Sequence, residues 1–112
     1  MKIAIPTAAG NLCPHFGHCE QFAIVEADPA SKKVSGITWL TPPPHEPGVL
    51  PRWLHEQGAE VIIAGGMGPR AQGLFAQHGI EVVVGAAAAT PEEIVAQYLG
   101  GSLRTGDNLC DH

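Results

Sequence analysis

Cysteine and histidine residues are concentrated in one short stretch of this sequence, Cys13-Pro14-His15-Phe16-Gly17-His18-Cys19. The whole chain has three cysteines and six histidines, so a stretch of this length should hold fewer than one of them, and it holds four. Thiolate and imidazole are the ligands that suit zinc, copper and iron–sulfur species. Cys13, His15, His18 and Cys19 therefore predict a metal or metal–sulfur site on one loop.

The spacing of these four residues does not match a closed zinc motif, which needs a second close pair of ligands. Cys110 and His112 near the C-terminus are the candidates for that pair, and the terminus would have to fold over the loop to complete the site. Two alternatives stay open. The two loop cysteines form a disulfide under oxidising conditions, or the loop residues only cap backbone groups and the terminus is disordered.

Three further histidines lie elsewhere in the chain. His45 lies in a proline-rich stretch, residues 41–48, whose stiffness is suited to presenting a metal ligand. His55 and His78 fall in the last turns of two predicted helices, where a cation interacts favourably with the helix dipole. We predict cofactor contact for His45, with an ordinary surface histidine as the alternative, and structural roles for the other two.

A glycine-rich turn is the second candidate for chemistry, Gly65-Gly66-Met67-Gly68-Pro69-Arg70. It is predicted to join a buried strand to the start of a helix, where backbone N–H groups and Arg70 can cradle an anion such as a thiometallate. Met67 is either a soft contact or a packing residue. The turn has neither the dinucleotide-binding nor the Walker pattern. Tight packing of the strand against the helix is the alternative explanation.

Composition narrows the class of protein. A chain of 112 residues, 45% apolar, fits one domain with its own core. A net charge of −5 with six Lys and Arg offers no basic face for nucleic acid or anionic lipid. No apolar run is long enough for a membrane span, and no signal peptide is recognisable, so we expect a cytoplasmic protein with reduced thiols. Catalysis has little support, because neither a nucleophile elbow nor paired carboxylates at strand ends occur.

Periodicity and turn signals predict a mixed α/β fold. The five predicted strands cover residues 2–6, 22–27, 34–40, 60–64 and 80–84. The three predicted helices begin near residues 49, 69 and 91 and end near residues 58, 79 and 99. A hairpin followed by βαβ units implies a mixed sheet with helices on its faces.

Two motifs in order carry a family resemblance: His15-Phe16-Gly17 followed by Phe22, and the segment from Ile63 to Ala71. Together with the proline-rich connector, they resemble the dinitrogenase iron–molybdenum cofactor biosynthesis proteins, a family that includes small cofactor carriers. The likeness runs from Lys2 to about Leu103. We therefore expect one domain, residues 1–103, followed by a flexible Cys- and His-bearing tail, residues 104–112.

The resemblance implies a ribonuclease-H-like three-layer fold whose five strands are ordered 3-2-1-4-5, with strand 2 antiparallel. It also implies binding and transfer, without turnover, of iron–sulfur, iron–molybdenum or molybdenum–copper clusters. P-loop ATPases that bear iron–sulfur clusters, and cluster donors and acceptors, are the implied partners. His15 matches the shared motif, whereas the other Cys and His ligands exceed it and are typical of a stand-alone branch.

These observations lead to a main hypothesis and two alternatives. The main hypothesis is a non-catalytic protein that binds, stores or transfers a metal–sulfur cluster or its precursor. The first alternative is an adaptor or regulatory module for an iron–sulfur ATPase, in which metal is incidental. The second is a metal-dependent enzyme acting on phosphate esters, which would require hydrolysis that we do not expect.

Overall fold

Six strands and three helices form the part of the chain that a computed structural model describes, residues 1–13, 19–43, 48–86 and 89–101. The strands are β1 (Lys2–Ala8), β2 (Asn11–Leu12), β3 (Gln21–Asp28), β4 (Lys33–Leu40), β5 (Val61–Ile63) and β6 (Glu81–Val83). The helices are α1 (Val49–Glu56), α2 (Pro69–Gln77) and α3 (Pro91–Gly100). None of the helices in these described segments is long and apolar enough to cross a membrane.

The sheet has the order β4-β3-β1-β5-β6, and the short β2 pairs with the far end of β1. β3 runs antiparallel to β1 and β4 antiparallel to β3, while β5 and β6 run parallel to β1. When the two-residue β2 is left out, the order becomes 3-2-1-4-5 with the second strand antiparallel. The structure thus confirms the predicted mixed sheet and its strand order.

Two apolar clusters, one on each face of the sheet, hold the three layers together. Successive side chains of β1 point to opposite faces, so Ile3 and Ile5 join one cluster and Ala4 joins the other. The cluster that contains Ala4 also contains Leu50 and Leu54 of α1 and Phe75 of α2. The opposite cluster contains Ile94 and Val95 of α3. Helices α1 and α2 therefore cover one face, and α3 covers the other.

Local signals set the helix ends as the sequence predicts. Gly58 and Gly79, which follow α1 and α2, have φ angles of +86° and +73°, a region that favours glycine. Pro69 occupies the first turn of α2. At the start of α3 the Thr90 side chain accepts a hydrogen bond from the Glu93 N–H at 3.3 Å, half of a capping box.

One strand boundary differs from the prediction that Pro6 ends the first strand. β1 continues through Pro6 to Ala8 and pairs Pro6 with Phe22 of β3. The Pro6 carbonyl accepts the Cys13 N–H at 2.9 Å, so the backbone groups of Pro6 face away from β3. The missing N–H of proline therefore costs no hydrogen bond to β3. After β1 the chain turns back and forms β2, which pairs with Thr7 and Ala8. The sequence predicts no strand between residues 6 and 22.

Candidate functional site

Cys13 lies beside the C-terminal end of β1. β5 pairs with Ile3 and Ala4 along one flank of β1, and farther along that flank the Cys13 amide bonds to Pro6. Cys13 therefore lies on the same flank of β1 as β5, farther along the strand, where β5 is no longer paired with it. The N–H of Leu12, the preceding residue, donates to the Ala89 carbonyl at 2.9 Å, which ties this segment to the chain entering α3.

The chain that returns through Cys19 is held at the same end of β1. The Glu20 N–H donates to the Thr7 carbonyl at 2.8 Å, and the Glu20 carboxylate accepts the Ala9 N–H at 3.0 Å. The Thr7 hydroxyl, which is buried, donates to the Gln21 carbonyl at 2.9 Å. Cys13 and Glu20, the residue after Cys19, are therefore both anchored by hydrogen bonds at one end of one strand.

The two cysteines are in the thiol form and differ in their surroundings. Cys13 is buried, with 3% of its surface exposed, whereas Cys19 is half-buried and packs against the cluster that contains Met67. Burial raises the pKa of the Cys19 thiol to about 11, and electrostatic repulsion from Cys13 adds to the increase. The Cys13 side chain is thus close enough to affect the ionisation of Cys19.

The glycine-rich turn follows β5 at the same edge of the sheet, since β1 and β5 are parallel. The Ala64 N–H donates to the Val83 carbonyl at 2.8 Å, and the Gly85 N–H donates to the Gly65 carbonyl at 2.9 Å. Pairing with the β6 strand therefore continues into the turn and fixes its backbone. Carboxyl ends of parallel strands are where sheets of this type commonly build their binding sites.

Met67 is fully buried in the core beneath the turn. Its carbonyl accepts a hydrogen bond from the Gln72 side-chain amide at 2.9 Å, which fixes the turn to the first part of α2. The side chain packs as the alternative explanation suggested. Contact between Met67 and a bound cluster stays a prediction.

The N-terminus of α2 is electrically positive and lacks a side-chain cap. Gly68 is the N-cap residue and Arg70, in the first turn, is exposed. Gly68 has a φ of −66°, and a Cβ placed there would meet open space, so the backbone does not require glycine at this position. The first-turn N–H groups, which have no acceptor inside the helix, and Arg70 form a surface suited to an anion.

Five of the predicted site residues lie outside the described residues: His15, His18, His45, Cys110 and His112. Among residues 1–13, 19–43, 48–86 and 89–101, no group of three or more His, Cys, Asp and Glu side chains is arranged to hold a metal ion. The structure holds the segments of Cys13 and Cys19 at one end of β1, and it positions Gly65, Gly66 and Gly68 at the same sheet edge.

The supporting residues of this edge were not identified from the sequence. Thr7 and Glu20 fix the two arms of the loop, and Gln72 fixes the turn to α2. Glu20 directly follows Cys19, which was a usable signal, because an acidic side chain beside a loop often accepts backbone N–H groups. Thr7 and Gln72 carried no comparable signal.

Comparison with known sequences identifies relatives along nearly the whole chain. The family model described as "Dinitrogenase iron-molybdenum cofactor" matches residues 1–101. The uncharacterised protein MJ0580 of Methanocaldococcus jannaschii is 35% identical over 106 residues, which cover 92% of this chain and 89% of that protein. This match extends over both the Cys/His loop and the glycine-rich turn.

Solved structures share the fold. The crystal structure of PH0822 superposes with a TM-score of 0.85 at 29% identity and covers 94% of each chain. The apo form of the orange protein from Desulfovibrio gigas superposes with a TM-score of 0.69 at 23% identity, covering 96% of this chain and 93% of that one. The second likeness concerns the fold alone.

Proposed function

This chain belongs to the dinitrogenase iron-molybdenum cofactor family, and from that premise we propose that it binds and transfers a metal–sulfur cluster or its precursor without turnover. The proposed cargo contains iron, molybdenum or both, held in sulfide. A family link to a metal–sulfur cofactor and a soft-ligand loop in one chain point to the same class of guest.

The placement of Cys13 and Cys19 at the same end of β1 is the observation that supports this proposal most strongly. Both are thiols, both are anchored at the end of β1, and the ionisation of one affects the other. Two thiolates that repel each other suit a cationic metal centre, because the metal removes the repulsion between them. A pair that only filled space would not need to lie beside a binding edge of the sheet.

The remaining ligands are assigned by type and position in the chain. We assign His15 and His18, between the two cysteines, as imidazole ligands, and Cys110 and His112 as a second pair that closes over the cargo. His45, in the proline-rich connector, is assigned to the rim of the site. All five assignments rest on the ligand chemistry of thiolate and imidazole.

The glycine-rich turn is assigned to the anionic side of the cargo. A thiometallate presents negatively charged sulfide, and the N-terminus of α2 with Arg70 presents partial and full positive charge. Gly68 is half-buried and lets the cargo approach the backbone at the start of α2, whereas Gly65 and Gly66 are buried in the cargo-free chain. The protein would then hold the metal through thiolates and the sulfide through N–H groups.

Competition between a proton and the metal for the Cys19 sulfur suits a protein that releases its cargo. A Cys19 thiol with a pKa near 11 is protonated at neutral pH. A metal must therefore displace that proton when it binds, and the proton favours release when an acceptor competes for the metal. Such a thiol needs a reducing compartment, so we propose the cytoplasm, with an iron–sulfur P-loop ATPase and cluster donors and acceptors as partners.

Anaerobic loading of the full chain tests this proposal. The protein is purified without oxygen, incubated separately with iron plus sulfide and with tetrathiomolybdate, desalted, and analysed for metal content and absorption spectrum. We expect close to stoichiometric metal and sulfur–metal charge-transfer bands with at least one cargo. A folded, reduced chain that stays colourless and metal-free with both would refute the proposal, and chelator-insensitive capture of an ATPase would then favour the adaptor.

The Cys110→Ser variant measures the role of the tail in the same assay. Because Cys110 would add a second thiolate arm, its loss should speed the release of cargo to a chelator while the initial metal content changes little. Release at the wild-type rate would remove Cys110 from the site and leave the loop as the ligand source.

A further inference from the structure

Two histidines meet on the helical face that α1 and α2 share. His55 lies in the last turn of α1, and His78 is the residue that follows α2. Their ring centres are 5.4 Å apart and the ring planes are inclined by 45°. The rings are therefore neighbours without being stacked face to face.

The backbone at both histidines is held by helix-ending hydrogen bonds. The Gly58 N–H donates to the His55 carbonyl at 3.0 Å, and the His78 N–H donates to the Phe75 carbonyl at 3.0 Å. Leu54, next to His55, and Phe75 are fully buried in the same core cluster. The two histidines consequently extend from fixed positions on packed helices.

This pair lies at the opposite edge of the sheet from the candidate cluster site. α1 leads into the start of β5 and α2 leads into the start of β6, whereas Cys13 and the glycine-rich turn lie beyond the C-terminal ends of β1 and β5. At the histidine edge, the Lys2 ammonium donates to the Gln57 carbonyl at 3.4 Å. Any binding at the histidine pair is therefore separate from the proposed cargo.

We propose that His55 and His78 form a binding site for one divalent transition-metal ion of the zinc, copper and nickel class. Zinc binds imidazole nitrogen at about 2.0–2.1 Å, so two rings on one tetrahedral ion have centres roughly 5 Å apart. The observed 5.4 Å separation is close to that value. Neutral imidazoles on two elements are the usual ligands of such ions.

Electrostatics and exposure favour a cation at this position. Both helices end here, and the C-terminal end of each helix dipole carries partial negative charge. His55 is exposed and His78 is half-buried, so an ion can reach the pair from solvent and keep water in its remaining positions. The described segments supply no third His, Cys, Asp or Glu side chain to complete a closed site. The site is accordingly open and of modest affinity.

Zinc titration of a cysteine-free full chain tests the site. Cys13→Ser, Cys19→Ser and Cys110→Ser remove the thiols that would otherwise take the metal, and the histidine ring protons are followed by NMR. We expect the His55 and His78 signals to shift together with a single midpoint in the micromolar range. Signals of both residues that stay unmoved up to millimolar zinc would refute the site, which is then only a packing contact.

Substitutions at His55 and His78 test whether zinc binding needs these two positions or only the same number of histidines. His55→Gln and His78→Gln should each weaken zinc binding at this site by about tenfold or more, and the double variant should lose little beyond that. The matched control combines His78→Gln with Gln77→His, which keeps the number of histidines but moves one ring to an adjacent exposed position on α2. The control should bind as weakly as His78→Gln, and recovery of wild-type affinity would contradict the proposal.

Discussion

Cys19 is the site residue whose surroundings have the clearest consequence for behaviour in solution. The folded chain holds the thiol proton more tightly than the unfolded chain, because the pKa rises from its ordinary 9.0 to about 11. The resulting contribution to stability is fully present below pH 9 and is lost as the pH rises from about 9 to about 11. Cys13, which is nearly fully buried, lies on the inner side of this pair.

We expect the cargo-free protein to lose stability at alkaline pH through Cys19. The loss should be on the order of 1 kcal/mol, because Cys19 is only half-buried and solvent screens its charge. Urea unfolding at pH 8 and pH 11 measures it. The Cys19→Ser variant should lose less than the wild type, and Cys110→Ser should lose the same as the wild type. Equal losses in all three proteins would show that Cys19 does not titrate as described.

At the scale of single residues, the sequence predicted the ligand types, but it could not predict their environment. The density of thiols and imidazoles between Cys13 and Cys19 is visible in the sequence alone. The burial of Cys13 and the raised pKa of Cys19 are not visible there, because both depend on hydrogen bonds to Pro6 and Thr7 and on packing against the core. Such contacts are long-range, and no local pattern encodes them.

Secondary-structure elements differ in how far their ends follow from local sequence. Gly58 and Gly79 end α1 and α2, and Thr90 caps α3, because these residues act on their own immediate backbone. The prediction that β1 ends at Pro6 is wrong. The strand continues because the Cys13 N–H, which belongs to another segment, donates to the Pro6 carbonyl. Pairing between segments decides strand ends, so a two-residue strand such as β2 escapes prediction.

Replacing Gly68 tests whether the N-terminus of α2 holds the anionic side of the cargo. Gly68→Asn and Gly68→Asp should both fold and gain a few tenths of a kcal/mol, since each supplies an N-cap side chain and a Cβ meets open space there. Asp also adds negative charge, which should weaken cargo binding by roughly fivefold through about 1 kcal/mol of repulsion. Anaerobic tetrathiomolybdate titration and urea unfolding of both variants measure these effects.

Asn is the matched neutral control for the Asp variant. If Gly68→Asn binds cargo like the wild type while Gly68→Asp binds weakly, charge at the helix N-terminus is responsible. Equal affinity of the Asp variant and the wild type would place the cargo away from α2.

The cap of α3 predicts an effect on stability alone. Thr90→Ala removes the acceptor of the Glu93 N–H and should lower the free energy of unfolding by about 0.5–1 kcal/mol, whereas Thr90→Ser should keep most of it. Urea unfolding measures both. Cargo loading should change little, because the substitution removes only the Thr90 hydroxyl and leaves the Ala89 carbonyl, which accepts the Leu12 N–H beside Cys13. A Thr90→Ala chain as stable as the wild type would show that the 3.3 Å bond contributes nothing.

At the scale of the whole molecule, the proposed cluster site and the proposed histidine site lie at opposite ends of the parallel strands. The carboxyl ends of β1 and β5 lie with Cys13 and the glycine-rich turn, and the opposite edge lies with His55 and His78. Family resemblance predicted the strand order and the layers, which are shared by distant relatives. Whether the soft ligands converge is a property of this chain, since it depends on residues 14–18 and on the terminus as well as on the fold.

The metal content of wild-type and Cys13→Ser/Cys19→Ser chains, loaded anaerobically side by side, tests the central claim most directly. Serine is nearly isosteric with cysteine, and circular dichroism and urea unfolding establish that the variant is folded. We predict close to stoichiometric metal and a charge-transfer spectrum in the wild type, and the loss of both in the variant. A folded variant that retains metal and colour at the wild-type level would contradict the assignment of these two thiols as the ligands of the cargo.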